Sequence, residues 1–193
     1  MNLKKIAQIV SVILGPILWL VLLVLLIFKS ESSLDRLIIL SMLFLVFFVL
    51  VPFGYIYYAY KHKKIKDLDL SNRKQRLIPL ILTNISLLIG SVFINYVGNQ
   101  STKDIIFLFL ILLLINTVIT VLWKISLHMA LNIVFVLLVN AYYQWRMWYL
   151  WMFIVLIFWS RLYLKKHTLS QITVSLLLNG AVVLLFLRMK YLI

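Results

Sequence analysis

IIFLFLILLLINTVITVLWKISLHMALNIVFVLLVN, residues 105–140, decides the fold. The run is almost wholly apolar, yet it is far longer than the roughly 20 residues that cross a bilayer once. Its polar interruption falls midway, at Lys124-Ile125-Ser126-Leu127-His128. Titratable side chains at membrane depth are costly and usually mark a site or the end of a span. The pattern therefore predicts a break, with one helix over 104–123 and the next over 127–143.

Working outward, 65% of the 193 residues are hydrophobic and only 12% are charged. That leaves too little polar surface for a soluble domain. The expected fold is all-α, a polytopic transmembrane helical bundle of six to seven spans forming a single integral membrane domain over 1–193. Apolar runs place the remaining helices near 6–28, 37–60, 78–97, 147–163 and 168–189. The first run follows Lys4 and Lys5 and lacks a small-residue cleavage site, so it reads as a retained span with a kink at Pro16. The connections are short except for a substantial loop over 61–77. No cysteine is present, which excludes disulfides and thiolate metal sites. A net charge of +14 would suggest nucleic acid in a soluble protein. In a membrane chain it points instead to anionic lipid headgroups and phosphate, with no nucleic acid among the partners.

If each span crosses once, the N-terminus, the 61–77 loop, the 124–128 break and the 161–167 turn share one side. That side carries Lys4, Lys5, Lys61, Lys63, Lys64, Lys66, Arg73, Lys74, Arg76, Lys124, Arg161, Lys165 and Lys166, which is 13 of the 19 basic residues. Setting aside Lys66, Arg73, Arg76, Lys124 and Arg161 as possible phosphate ligands still leaves the excess there. The positive-inside rule then makes that side cytoplasmic in a multi-pass protein of the cell membrane. The opposite end of the 127–163 hairpin reads Tyr142-Tyr143-Gln144-Trp145-Arg146-Met147-Trp148-Tyr149, an interfacial aromatic belt.

Two of the three histidines stand among these cations. Ser160-Arg161, then five residues, then His167, then three residues and Gln171 follows the pattern SRxxxxxHxxxD with Gln in the last place. Ser126 and His128 keep two positions of a PSGH motif, and Lys66 and Arg73 keep the spacing of a KxxxxxxRP motif, with Lys74 in place of the proline. In these three motifs the chain resembles the type 2 phosphatidic acid phosphatases, which share a fold with the vanadium haloperoxidases. The resemblance covers about 66–171, within a phosphatase-like core of about 61–189.

The resemblance implies a metal-free lipid phosphatase that needs no cofactor. It would hydrolyse a phosphomonoester or diphosphate carried by an isoprenyl or phosphatidate-like lipid. A dianionic phosphate needs several fixed cationic donors, and Arg73, Arg76, Lys124 and Arg161 are the candidates. By resemblance His167 attacks phosphorus and forms a phosphohistidine. His128 protonates the leaving oxygen and then activates water. Ser126 hydrogen-bonds a phosphate oxygen. Gln171 takes the place of the aspartate that orients the nucleophile; its carbonyl keeps the acceptor but not the charge. The alternative is a non-catalytic phospholipid-binding relative that lost turnover with that charge.

Other polar residues have plainer readings. Lys61, His62, Lys63 and Lys64 read as a solvated basic edge gripping anionic lipid. Asp67 and Asp69 read as ion-paired loop residues and not as a magnesium site. Asn84, Asn116, Asn132 and Asn179 read as interhelical hydrogen-bonding groups.

Overall fold

The computed structural model describes residues 2–15, 18–19, 21–22, 24–25, 31–68, 70 and 72–191, the last without its side chain. The described residues are helical, with no strand among them. The elements are α1 (Leu3–Ile13), α2 (Leu34–Lys61), α3 (Arg73–Val97), α4 (Gln100–Leu122), α5 (Leu127–Tyr142), α6 (Trp151–Tyr163) and α7 (Leu169–Tyr191). A single 3₁₀ turn, Trp148–Leu150, leads into α6. Helices α2, α3, α4 and α7 are long and apolar enough to cross a membrane. Helix α5, with 16 residues, is about 24 Å long at 1.5 Å per residue. That falls short of the roughly 30 Å hydrocarbon core, and α6 is shorter still.

The chain forms two compact units, Met1–Trp19 with Lys124–Ile193, and Leu20–Trp123. In both, exposure runs opposite to that of a soluble protein. On α7, Ser175 and Asn179 are at most 1% exposed while Leu177 and Met189 are 65% and 82% exposed. A helix that hides its polar face and shows its apolar one is arranged for a hydrocarbon surround, where each polar group must find its partner inside.

In the first unit α1 packs on α6, and α5 packs on α6 and α7. The α1–α6 contact uses small residues: Ala7 is fully buried, and Ser160 Oγ donates to its carbonyl at 2.8 Å. Helix α1 ends at Ile13, far short of the expected 6–28 span. Its Leu14 carbonyl accepts from Trp19 Nε1 at 3.2 Å and from Asn132 Nδ2 at 3.0 Å. The break falls at Leu14-Gly15, just ahead of Pro16, whose ring disfavours helix in the residue before it. Pro16 itself, expected to be a kink, lies outside the described residues.

The second unit holds α2, α3 and α4. Helix α3 starts at Arg73 and not at 78, because Asn72 Oδ1 caps it by accepting from Lys74 N at 3.0 Å. The expected 61–77 loop is accordingly shorter. Across α3 and α4, Asn84 Nδ2 donates to Thr117 Oγ1 at 2.7 Å, as the apolar setting of this asparagine suggests.

Helix α2 widens into a π-helical turn over Leu45–Leu50, just before Pro52. In that turn Val51 N–H donates to the Val46 carbonyl instead of to that of Phe47. The next candidate donor to Phe47 is Pro52, which has no N–H. Ser86 Oγ of α3 fills the vacancy, donating to the Phe47 carbonyl at 2.7 Å. One turn on, Gly90 lets the two backbones close up: a Cβ there would stand 2.8 Å from Phe47 Cβ.

Candidate functional site

The site residues of the first unit gather around two connections, the extended 124–126 segment before α5 and the turn between α6 and α7. Lys124 Nζ donates to the Lys166 carbonyl at 2.7 Å. Ser175 Oγ of α7 donates to the Ser126 carbonyl at 2.7 Å, and both serines are fully buried. The α5–α6 hairpin therefore returns to the end at which it starts. Ser126 also caps α5, its Oγ accepting from Met129 N at 3.4 Å. His128 lies half-buried in the first turn of that helix, and its carbonyl accepts from Asn132 Nδ2 at 2.7 Å.

Helix α6 closes with a Schellman turn. Lys165 N donates to the Leu162 carbonyl at 2.9 Å and Lys166 N to the Arg161 carbonyl at 3.1 Å, with Lys165 at φ 52° in the left-handed region. This turn reverses the chain and delivers His167 to the start of α7. Arg161, 1% exposed, directs Nη1 onto Ser11 Oγ of α1 at 2.7 Å. Ser11 is thus a neighbour of the candidate site that sequence spacing had not singled out. It shares α1 with Lys4, Lys5 and Gln8, so its sequence setting does not mark it out.

The start of α7 explains Gln171. Thr168 Oγ1 accepts from Gln171 N at 3.3 Å, and Gln171 Oε1 accepts from Thr168 N at 3.2 Å. This is a capping box, Thr-x-x-Gln, in which two otherwise orphaned N–H groups are satisfied reciprocally. The same Oε1 stands 3.1 Å from His167 Nδ1. Because that oxygen already faces a backbone N–H, the amide orientation is fixed and Oε1 is an acceptor toward the ring. The proton between them therefore belongs to Nδ1, which in a neutral imidazole leaves the lone pair on Nε2. His167 is 6% exposed.

Arg73 and Arg76 belong to the other unit. Arg73 Nη1 donates to the Val121 carbonyl at 2.7 Å, and Arg76 Nε to the Leu70 carbonyl at 3.0 Å, with Arg76 only 3% exposed. In that unit they tie the loop before α3 and the end of α4. Lys66 is exposed, and its backbone N–H donates to Gln75 Oε1 at 3.2 Å. Among the described residues no three His, Asp or Glu side chains gather as a metal-ligand set. Asp69 lies outside those residues. No family model, curated protein or solved structure matches the chain.

Proposed function

We propose that the protein is a membrane-embedded lipid phosphatase working through a phosphohistidine at His167. The observation that carries this reading is the His167 Nδ1 to Gln171 Oε1 hydrogen bond of 3.1 Å. It fixes one tautomer and leaves the nucleophilic nitrogen opposite, as a histidine nucleophile requires. Nε2 attacks phosphorus, the bond from phosphorus to the lipid oxygen breaks, and that oxygen takes a proton from protonated His128. A water then attacks the phosphorus, giving its proton to His128. The P–N bond breaks, and phosphate leaves with His167 restored.

Lys124, Arg161 and the Ser126 hydroxyl neutralise and orient the phosphate in this scheme, since phosphoryl transfer is mostly positioning and charge compensation. The start of α7 favours an anion as well. The substrate is a phosphomonoester or diphosphate of an isoprenyl or phosphatidate-like lipid, reached from the bilayer. Helices α5 and α6 complete a bundle of six to seven spans, anchored at their far end by Trp145, Trp148 and Tyr149. The excess of lysine and arginine beside the site makes its side cytoplasmic in the cell membrane.

A second reading has its own support. Arg161 is almost wholly buried and bonded to Ser11, and Lys124 is bonded to a backbone carbonyl. Cations held this way suit a relative that binds phospholipid without turning it over. Phosphate release from lipid phosphates by the purified full chain separates the two. The phosphatase reading expects release that His167→Ala abolishes while lipid binding persists. Binding without release, from the unaltered chain, selects the second reading.

A further inference from the structure

The basic edge at the end of α2 lies outside that site, in the other unit, and its turn, like that of α6, sets a lysine in the left-handed region. Helix α2 ends in a Schellman turn: Lys63 N donates to the Tyr60 carbonyl at 3.0 Å and Lys64 N to the Ala59 carbonyl at 2.8 Å. The left-handed position of such a turn is ordinarily glycine, which has no Cβ to strain. Here it is Lys63, at φ 56°. A left-handed conformation strains a residue that carries a Cβ, so glycine would make the more stable turn. The attraction of a cation for the helix C-terminus is already provided by Lys61 in the last turn. The next residues fix the lysines outward: Ile65 is buried and pins the loop, while Lys61, Lys63, Lys64 and Lys66 are exposed.

The depth of this edge follows from the helix before it. Tyr57, Tyr58 and Tyr60 are 61%, 47% and 45% exposed on the last turns of α2. Exposed tyrosines at the end of an apolar helix are characteristic of the membrane–water interface. The lysines follow within six residues of Tyr60 and so stand at headgroup level. Lys64 Nζ lies 5.1 Å from the centre of the Tyr58 ring, whose other neighbour is the His62 ring at 4.4 Å. The ring orients one ammonium beside the charges of its neighbours.

We propose that Lys61–Lys66 is a clamp for the headgroups of anionic phospholipids in the bilayer that α2 itself crosses. Each lysine near such a surface adds roughly 1 kcal/mol of attraction, or about fivefold in binding. The clamp recognises phosphodiester charge and retains Lys63 at a position where glycine would be more stable.

The test uses the purified full chain. Native mass spectrometry counts bound phosphatidylglycerol or phosphatidylcholine, and thermal unfolding is followed in nanodiscs of each lipid. Lys63→Gly should bind phosphatidylglycerol about fivefold more weakly, and the double variant Lys63→Gly with Lys64→Gln about twenty-five-fold more weakly. Lys63→Arg should keep wild-type binding, and so should Lys103→Gln, at the start of α4. In phosphatidylcholine alone, Lys63→Gly should unfold at or above the wild-type midpoint, because the turn is relieved. Undiminished phosphatidylglycerol binding by the double variant would overturn the proposal. So would a lower midpoint for Lys63→Gly in phosphatidylcholine, which would make Lys63 a purely structural residue. Full displacement of the lipid by soluble glycerol 3-phosphate would also overturn it, by assigning the lysines to a free phosphate ester.

Discussion

Replacing Gln171 by Ala separates the two jobs of that side chain. Its Oε1 accepts from Thr168 N at 3.2 Å and from His167 Nδ1 at 3.1 Å. Losing the reciprocal cap costs about 1 kcal/mol of stability, and losing the second bond costs about 1 kcal/mol more. Such a loss leaves a folded protein folded. The effect on turnover is expected to be larger: with no acceptor, the ring is free to turn and to take the other tautomer. Misplacing a reacting group by an ångström costs about 100-fold in rate, and a mis-set tautomer in a serine-protease triad costs about 10⁴. Phosphate release by Gln171→Ala should therefore fall by about 100-fold or more. Thr168→Ala removes the Oγ1 that accepts from Gln171 N and leaves the Gln171–His167 bond in place. It should lose comparable stability and most of its rate should remain. Gln171→Glu keeps the length and adds the charge, and Gln171→Asp adds the charge on a shorter arm. Both should raise the rate, Glu by about tenfold or more given the size of charge effects beside a catalytic histidine. The readout is phosphate release per folded protein, with folding checked by thermal unfolding. Equal, measurable rates for Gln, Ala and Glu at 171 would refute the reasoning, because the residue would then not orient His167.

Further outcomes follow from contacts elsewhere. Ser86→Ala leaves the Phe47 carbonyl of the π-helical turn without its hydroxyl donor and should lower stability by about 1–3 kcal/mol. Gly90→Ala forces a Cβ to 2.8 Å from Phe47 Cβ and should cost about 1–3 kcal/mol, read by thermal unfolding in detergent. Glu31, 8% exposed, accepts from Asn99 N at 2.7 Å and from Thr102 Oγ1 at 3.3 Å at the start of α4. Glu31→Ala should destabilise by about 1–3 kcal/mol while Glu31→Gln, which keeps an acceptor, costs less than half as much. Arg161→Ala should weaken both lipid binding and turnover, and Ser11→Ala, which removes only its hydroxyl partner, should affect both to a smaller degree.

The helical architecture was legible because hydrophobic runs and their interruptions are local signals. The break at Lys124–His128 could be read from one polar pentad: α4 ends at Leu122, just before it, and α5 begins at Leu127, within it. The 161–167 turn was legible for the same reason. Helix ends governed by single side chains were not. In the run 6–28 only Gly15-Pro16 hints that α1 stops at Ile13, and Asn132, the partner of the Leu14 carbonyl that follows, is more than a hundred residues away. The start of α3 depends on the Asn72 cap, which pulls charged residues into a helix that hydropathy would begin later. The π-helical turn of α2 needs Pro52 and Ser86 together, a pairing visible only in three dimensions. At the candidate site, spacing marked His167 and Gln171 as a pair. It offered no reason for glutamine, which lies in the capping box with Thr168, and no hint of Ser11. Spacing also grouped Arg73 and Arg76 with Arg161, whereas each side chain has a carbonyl or hydroxyl partner within its own unit.

The most direct test of the central proposal is to trap the intermediate. The unaltered chain is incubated with a radiolabelled lipid phosphate, quenched in alkali within its first turnovers, and mapped by mass spectrometry. The account predicts an alkali-stable, acid-labile phosphoryl group on His167, absent when His167 is replaced by Ala. Phosphate release that survives His167→Ala, or a phosphoryl group on any other residue, would contradict it.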